Sequence, residues 1–361
     1  MNILWLSWRD IKNPTSGGAE KLTFEVAKRF VRDKSPVTIF SSSFHKSRSS
    51  ESLSGVKIIR AGNLLTCRLY ALVYYLKNRS RIDVVIDEVN TIPFFTPVFA
   101  PQKSVCFIHQ LAREYWFSHT PFPVNWVGYL LEPLALKLYR NRPTITVSNS
   151  TKEDLLRLGF SKIKIIREGI DLKPFLPKGK KKDQIVFIGR LVKAKCPEDA
   201  ILAFNRVNEI FPNYKLIMVG AGQPKYLKSL KNLVNKHHLV KKITFTGYVK
   251  NSQKNNILKN SKVALIPSIR EGWSLVATEA NSQGCVPIAY NVPGLKDSIK
   301  NHQTGILTSP DPKSLAKETI KLLIDNKKLE ELAKNGHNWS KNFTWENSYQ
   351  DCKKFIYTTS L

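Results

Sequence analysis

Short apolar strands alternate with helical patterns along almost the whole chain, and this alternation constrains the fold more than any other feature. The first predicted helix places Leu22, Val26, Ala27, Phe30 and Val31 on one face. Alternating strands and helices are typical of parallel βαβ units, so the pattern predicts an α/β fold. The predicted strands cover residues 3–7, 37–40, 56–59, 82–86, 104–108, 144–147, 184–188, 214–219, 243–245, 263–266 and 286–289.

The alternation is interrupted once, at residues 171–183. Two prolines, a glycine and a run of lysines in this stretch indicate a linker, and the strand and helix pattern then begins again. Two similar α/β domains, 1–172 and 173–344, are the simplest architecture. Ligands of open α/β sheets lie beyond the carboxyl ends of the strands, so we expect a site in the cleft between two facing sheets.

Composition excludes several classes of protein. The 361 residues are enough for two domains that each have a hydrophobic core, and a hydrophobic content of 42% is typical of a globular protein. No apolar run is long enough to span a bilayer, and residues 1–10, which contain the first predicted strand, lack the basic leader of a signal peptide. Five scattered cysteines without C-x-x-C spacing predict neither disulfides nor a structural zinc site, which suits the cytoplasm.

The net charge of +29 predicts attraction to anionic partners, either phosphorylated substrates, nucleic acid or acidic lipid headgroups. The alternative is a lysine-rich solvated surface that reflects composition bias alone. Arginine is more informative, because only Arg190, Arg206 and Arg270 remain after residue 181. A rare arginine among many lysines indicates planar, bidentate recognition of phosphate.

One segment combines a predicted anion site with two carboxylates. A strand ending near Pro267 is followed by Glu271 in a loop, and a helix predicted to begin near Ser274 carries Glu279. Gly272 permits close approach of a ligand, and the free N–H groups of a helix start attract phosphate. Carboxylates beside a phosphate site suit the binding of sugar hydroxyls, so the segment is interpreted as a sugar-nucleotide site.

The same stretch continues through Gly284, a short apolar strand and Asn291-Val292-Pro293-Gly294. The order of these elements, from a strand through a loop, a glycine and a helix to the next strand, resembles the E-x7-E signature of retaining glycosyltransferases of family 4. The resemblance implies the GT-B fold, with two Rossmann-like α/β domains facing across a cleft. It also implies an acceptor-side first domain, a nucleotide-sugar-binding second domain, and a final helix at 345–361 that crosses back onto the first.

Further residues match the family's patterns in the second domain. Gly189-Arg190-Leu191 with Lys195, five residues after Arg190, is similar to the family's Gly-Arg-x4-Lys pattern, which implies that Arg190 and Lys195 neutralise the departing diphosphate. Cys196 stands where the family usually has glycine. Gly220 belongs to a V-G-x-G turn, and the resemblance implies base contacts at Tyr248 and Val249. A dinucleotide site is disfavoured because no complete G-x-G-x-x-G is present.

The glutamate segment and the first domain complete the implied site. The resemblance gives the ribose hydroxyls to Glu279, the donor sugar to Glu271, and the diphosphate to the stretch Gly272, Trp273, Ser274 and Leu275. In the first domain, Gly17 and Gly18 match the Gly-Gly-x-Glu pattern at a helix start. His109, at a strand end, matches a histidine that contacts the sugar near the reacting carbon in similar enzymes.

The sequence thus predicts a metal-independent, retaining hexosyltransferase that uses a GDP-, UDP- or ADP-hexose as substrate and no other cofactor. Retention in the family is ascribed to front-face attack, so no covalent nucleophile is assigned. Surface charge and the aromatic segments 92–99 and 115–126 favour a lipid-linked acceptor or growing glycan and peripheral attachment to the cytoplasmic membrane face. The alternatives are a phosphorylase or sugar-nucleotide epimerase of the same fold, and a basic nucleic-acid-binding protein. No motif for nucleic-acid binding is found.

Overall fold

The structure, a computed structural model, describes residues 1–177, 179 and 181–359. The chain forms two compact units: Met1–Gly169 together with the segment from Thr344 onward, and Ile170–Phe343. Lys178 and Lys180 of the predicted linker lie outside the described residues, as do Ser360 and Leu361 of the predicted final helix.

Eight strands form one sheet in the described part of the first unit, in the order β3-β4-β2-β1-β5-β6-β7-β8. All neighbouring strands are parallel except β3 and β4. Helices cover both faces, so central strands such as β1 and β6 are fully buried and, apart from Ser104 of β6, consist of apolar residues. The strands are β1 (Ile3–Leu6), β2 (Val37–Ser41), β3 (Ser50–Leu53), β4 (Val56–Arg60), β5 (Val84–Val89), β6 (Ser104–Ile108), β7 (Thr144–Thr146) and β8 (Ile163–Ile165).

The helices of this unit follow the predicted pattern with one correction. The spacing of Ser150 and Glu153 in the sequence predicts a capping box with Ser150 as the N-cap of a helix, and this prediction is wrong. The N-cap is Ser148, whose hydroxyl accepts a hydrogen bond from the Thr151 N–H at 3.2 Å, because β7 ends before residue 147. The helices are α1 (Gly18–Arg32), α2 (Cys67–Asn78), α3 (Thr96–Phe99), α4 (Tyr115–His119), α5 (Val124–Lys137) and α6 (Asn149–Arg157).

Helices α2 and α5 cover the same face of the first sheet. Ala71 and Tyr75 of α2 pack in one cluster with Val85, and Leu136 of α5 packs in another with Cys106. Cys106 is in register with Asp87, two residues beyond Val85, so the two clusters lie on one side of the sheet. No helix within the described residues is long and apolar enough to cross a membrane.

The second unit is a six-stranded, wholly parallel sheet in the order β11-β10-β9-β12-β13-β14 within its described residues. Its strands are β9 (Gln184–Ile188), β10 (Lys215–Val219), β11 (Ile243–Gly247), β12 (Val263–Ile266), β13 (Val286–Tyr290) and β14 (Ile306–Thr308). Its helices are α7 (Pro197–Ile210), α8 (Pro224–Lys236), α9 (Asn251–Asn260), α10 (Leu275–Ser282), α11 (Leu295–Ser298), α12 (Pro312–Ile324) and α13 (Asn326–Ser340), and a 3₁₀ turn spans Lys193–Lys195.

The last helix, α14 (Trp345–Thr359), belongs to the first unit. It packs on α1, where the Tyr349 ring meets Phe30 edge-on with centroids 5.0 Å apart. The Tyr349 hydroxyl donates to Asp33 at 2.6 Å, and Arg32 donates to the Glu346 carboxylate. The first unit is therefore built from two stretches of chain that are far apart in sequence.

Candidate functional site

Helix α10 begins as the sequence predicts, directly after the loop that carries Glu271. Ser274 is the N-cap, and its hydroxyl accepts from the Ala277 N–H at 3.2 Å. The helix ends at Ser282, and Gly284 follows at φ +62° with the Cys285 N–H bonded to the Ala280 carbonyl. A glycine therefore stops the helix, as predicted.

The Trp273 side chain is part of the core. Its ring lies 5.2 Å from that of Phe343, and its indole N–H donates to the Thr278 hydroxyl at 3.1 Å. Of Trp273, only the main chain is placed to serve a ligand. Ser274 is similarly constrained, because its hydroxyl is engaged in capping the helix.

The loop that holds Glu271 is fixed by Gly294 of the neighbouring strand connection. The Glu271 N–H donates to the Pro293 carbonyl at 3.1 Å, and Gly294 has φ +81°. A Cβ at Gly294 would lie 2.1 Å from the Glu271 carbonyl oxygen. Only glycine fits there, so Pro293-Gly294 positions the carboxylate segment.

Each of the two signature glutamates is paired with a lysine. The Lys195 ammonium, at the end of the 3₁₀ turn after β9, contacts the Glu271 carboxylate. The Lys254 ammonium of α9 lies 2.6 Å from the Glu279 carboxylate, which is largely buried. Sequence reasoning singled out Lys195 but missed Lys254, because nothing distinguishes this lysine in a polar helix of a lysine-rich chain.

The main chain of the loop after β9 packs closely against that of the loop after β10, where each strand is followed by a glycine. Gly220 has φ +143°, and a Cβ there would meet the Gly189 carbonyl oxygen at 1.8 Å. The Gly189 N–H donates to the Val219 carbonyl and the Gly220 N–H to the Gly247 carbonyl. This packing explains Gly220 without a ligand, whereas the nearest contact of a Cβ at Gly189 would be at 3.6 Å, an ordinary van der Waals distance. Arg190, directly after Gly189, is exposed.

Tyr248 and Val249, the predicted base-contact residues, differ in environment. Tyr248 follows β11 and its side chain is 84% exposed, so it is free of the core. Val249 packs against a buried cluster that includes Val219 and Leu258. The loops after β9, β10, β11 and β12 thus bring the predicted residues of the second unit to the carboxyl edge of one parallel sheet.

Cys196 occupies a backbone conformation that favours glycine. It lies at φ +45° and ψ +53°, in the left-handed region, and is the N-cap residue of α7. A side chain in this region costs roughly 1–2 kcal/mol. The departure from the family's glycine therefore leaves the turn in place but strains it.

We expect Cys196→Gly to raise the free energy of unfolding of the second unit by about 0.5–1 kcal/mol, because relief of the left-handed strain exceeds the added entropy of the unfolded chain. Urea unfolding followed by fluorescence measures the change. Cys196→Ala keeps the Cβ and is the matched control. An equal gain in both variants would contradict the strain explanation.

In the first unit, the Gly-Gly-x-Glu segment forms the start of α1. Gly17 is the N-cap and Gly18 is the first helical residue. The Gly17 N–H donates to one oxygen of the Glu20 carboxylate at 2.6 Å, and Arg9 donates to the other at 2.7 Å. Glu20 thus caps the helix start and fixes the loop after β1.

His109 follows β6 and is buried between two carboxylates. Its Nε2 lies 3.3 Å from Glu88 and its Nδ1 lies 3.6 Å from Glu168. The ring stacks on Phe107 with centroids 4.4 Å apart. Burial alone would lower the pKa of His109, but the interactions with Glu168 and Glu88 outweigh it and raise the pKa to about 9. Neither glutamate was identified from the sequence.

No group of three or more His, Cys, Asp or Glu side chains that could hold a metal ion is found in the described part of the chain. All five cysteines are free.

Comparison with known proteins places the chain in a family. Residues 16–174 match the profile of Glycosyltransferase Family 4, and residues 170–339 match that of Glycosyl transferases group 1. The chain is 30% identical to the UDP-Gal:alpha-D-GlcNAc-diphosphoundecaprenol alpha-1,3-galactosyltransferase of Escherichia coli over 74% of its length and 72% of that protein. It is 30% identical to the glycogen synthase of Mycobacterium tuberculosis over 46% of its length, but spans only 41% of that relative.

Solved structures share the fold over nearly the whole chain. Sucrose-phosphate synthase from Thermosynechococcus elongatus superposes with a TM-score of 0.83 at 19% identity, covering 99% of this chain and 98% of that one. HepE of Anabaena, in complex with UDP and glucose, gives 0.77 at 18% identity, covering 99% and 100%. Two Rossmann-like α/β units define the protein as one with the GT-B fold. The chain belongs to the family 4 glycosyltransferases.

Proposed function

We propose that the protein is a retaining glycosyltransferase that moves a hexose from a nucleoside-diphosphate sugar to an acceptor. The observation that carries this proposal is the arrangement around α10. Glu271 precedes the helix and Glu279 lies within it, and each carboxylate is paired with a lysine at the carboxyl edge of the second sheet.

The chemistry of a sugar nucleotide fits these residues one by one. Glu279, ionised beside Lys254, accepts hydrogen bonds from the two ribose hydroxyls. Main-chain N–H groups from Gly272 to Leu275 bind diphosphate oxygens at the helix start. Tyr248 and Val249 contact the base. Glu271 binds hydroxyls of the hexose, and the resemblance assigns His109 of the first unit to the same sugar.

Arg190 and Lys195 stabilise the departing diphosphate in this proposal, because negative charge builds there as the glycosidic bond breaks. Lys195 pairs with Glu271 in the structure, so a bound diphosphate would compete with that carboxylate for the ammonium. Two cations supply the neutralisation that a divalent ion gives elsewhere, so we expect activity to persist in EDTA. The leaving phosphate accepts the proton of the acceptor, which gives retention without a covalent nucleophile.

A panel of UDP-, GDP- and ADP-hexoses tests the proposal. Release of nucleoside diphosphate from one of them, with NMR of the product showing the donor's anomeric configuration, is the expected result. Calorimetry with UDP, GDP and ADP tests binding separately. Absence of binding to all three would overturn the assignment, whereas an inverted product anomer would overturn only the retaining mechanism.

We propose further that the acceptor is carried by a lipid. The Escherichia coli relative acts, by its name, on a sugar linked to diphosphoundecaprenol, and its similarity covers most of both chains. Enzymes that act on such acceptors work at a membrane surface, and the first unit has features that suit such a surface.

Helices α2 and α5 expose two apolar stripes on the same side of the first sheet, which we call the apolar face. Residues at spacings of three and four are one face of a helix, so each stripe is continuous. A soluble surface rarely exposes so many large apolar side chains together. The apolar face consists of Leu65, Leu69, Val73 and Leu76 from the α2 segment and Val127, Leu130, Leu131 and Leu134 from α5.

Cations lie at the C-terminal ends of both helices. Lys77 and Arg79 are exposed at the end of α2, and Lys137 and Arg140 at the end of α5. Exposed lysine and arginine beside an apolar helix face are typical of proteins that lie on anionic membranes. We therefore propose that the apolar face docks on a bilayer that contains acidic lipids.

We expect the protein to sediment with vesicles of phosphatidylglycerol and phosphatidylcholine at low salt, and the double variant Leu69→Glu, Leu130→Glu to lose at least about tenfold in affinity, because each leucine contributes roughly 1.5–3 kcal/mol when buried. Leu69 is 66% exposed and Leu130 62%, so neither change disturbs the core.

The matched control is Val240→Glu with Ile324→Glu, which adds the same charge at exposed positions of the second unit. It should bind vesicles as the parent protein does. Equal loss in both double variants would attribute binding to net charge alone, and failure of the parent protein to bind acidic vesicles would exclude the docking proposal.

A further inference from the structure

Both ring nitrogens of His109 face a carboxylate. Glu88, the fifth residue of β5, lies 3.3 Å from Nε2, and Glu168, beyond β8, lies 3.6 Å from Nδ1. A neutral imidazole has one N–H and one lone pair, so one of its nitrogens would oppose a carboxylate with no proton between them. Only the doubly protonated ring carries a positive charge that both carboxylates, at ion-pair distances of 3.3 and 3.6 Å, can stabilise.

We propose that Glu88 and Glu168 are positioning residues that hold His109 as a doubly protonated ring, and that this charged ring is the working form of the enzyme. The inference rests on the proposed function, and it assigns the protonation state that the resemblance leaves open.

Glu88 is itself fixed by donors from two other elements. Its Oε2 accepts from the Trp5 indole N–H of β1 at 2.9 Å and from the Thr23 hydroxyl of α1 at 2.6 Å. These donors fix Oε2 and leave Oε1 as the oxygen closest to His109. The side chain of Glu88 is fully buried, so water does not weaken the ion pair as it would at a surface.

Glu88 and Glu168 are the charged groups that pair with the ring within the described residues. Helix α6 contributes the Thr151 hydroxyl, which donates to the His109 carbonyl at 3.2 Å and fixes the main chain. Phe107 stacks on the ring face. Two carboxylates outweigh the cost of burying one imidazolium, in keeping with the pKa of about 9 for His109.

The consequence for the reaction is that His109 does not act as a base. A doubly protonated ring has no lone pair to accept the proton of the acceptor hydroxyl. That proton goes to the leaving phosphate, as the retaining mechanism requires, and His109 remains a fixed positive charge. Loss of its proton at high pH would release the ring from one carboxylate and lower kcat.

NMR of protein labelled at histidine Cε1 tests the protonation state directly, with His109→Gln used to assign the signal. The His109 signal should titrate well above pH 7.5 in the parent protein. Glu88→Gln should lower its midpoint by at least one pH unit, which is a tenfold change in proton affinity, and Glu168→Gln should lower it as well. Glu153→Gln removes an equal charge from the exposed surface of α6 and should leave the midpoint unchanged.

A midpoint near 6.5 in the parent protein, or one that neither Glu88→Gln nor Glu168→Gln moves, would overturn the proposal. If Glu88→Gln does not fold, the parent titration and Glu168→Gln still decide. The NMR titration needs no sugar donor. A midpoint near 6.5 in a protein that still binds nucleotide would therefore refute the proposed protonation state of His109 and leave the proposed function standing. With the active enzyme, the alkaline limb of kcat against pH should move to lower pH in Glu88→Gln and not in Glu153→Gln.

Discussion

Glu279→Ala is expected to raise the KM for the donor about a hundredfold, while kcat falls much less. The variant loses two hydrogen bonds between a carboxylate and the ribose hydroxyls, together worth about 3 kcal/mol. These bonds form in the ground state and persist in the transition state, so their loss weakens binding rather than the chemical step. Steady-state kinetics with the best donor measures the change.

The ion pair between Lys254 and Glu279 provides a second variant for this test. Removal of Glu279 leaves Lys254 without its carboxylate, and Lys254→Met leaves a largely buried carboxylate without its cation. We expect Lys254→Met to raise the donor KM too, but by less than Glu279→Ala. Glu330→Ala, at an exposed position of α13, is the control and should match the parent protein. Unchanged KM in Glu279→Ala would show that ribose is bound elsewhere.

Arg190→Ala is expected to lower kcat by a factor of roughly 10² to 10³ and to change the donor KM little. Loss of one group that stabilises developing negative charge has an effect of this size in other enzymes. Arg190 is exposed and supports no core contact, so the fold should remain intact. Single-turnover measurements at saturating donor separate the chemical step from product release.

Arg206→Ala is the matched control, because Arg206 is an exposed arginine of the same unit on α7. Arg190→Lys should recover part of the rate, since lysine keeps the charge but not the bidentate geometry. A large rise in KM with unchanged kcat would assign Arg190 to ground-state binding and leave Lys195 as the group that stabilises the leaving diphosphate.

The parallel sheets could be predicted because their central strands are apolar on both faces. Strands β6, β9 and β12 have the bounds that the sequence predicts. The elements that were not predicted lack this signal. Strand β3 is a half-exposed antiparallel edge, and β8 and β14 have three residues each, too few for a periodic pattern.

Helix starts were predictable only where one capping residue was available. At α10, Ser274 is the single candidate and the prediction is confirmed. At α6, Ser148 and Ser150 are two residues apart, and the position of the preceding strand decides between them. The sequence pattern does not locate the end of β7 closely enough to distinguish the two serines, so it predicts Ser150 in place of Ser148 as the N-cap.

Partners within the site could not be predicted, because they depend on topology. Lys254 meets Glu279 only because α9 and α10 come together at one edge of the sheet. His109 meets Glu88 because β5 and β6 are neighbours in register, and it meets Glu168 through a segment beyond β8. Local motifs identify the residues that a family shares, whereas long-range pairs need the fold.

Because α14 packs on α1, the first unit can be completed only after α14 has been synthesised. Residues 1–169 leave the ribosome first, but Tyr349 of α14 packs on Phe30 of α1 and donates to Asp33, the residue after α1. The first unit therefore cannot complete its fold, and this surface of α1 stays exposed, until the whole second unit has been translated. Such a delay makes the growing chain a client for chaperones, and it predicts that a stop codon before Thr344 yields an aggregating first unit beside a well-folded second one.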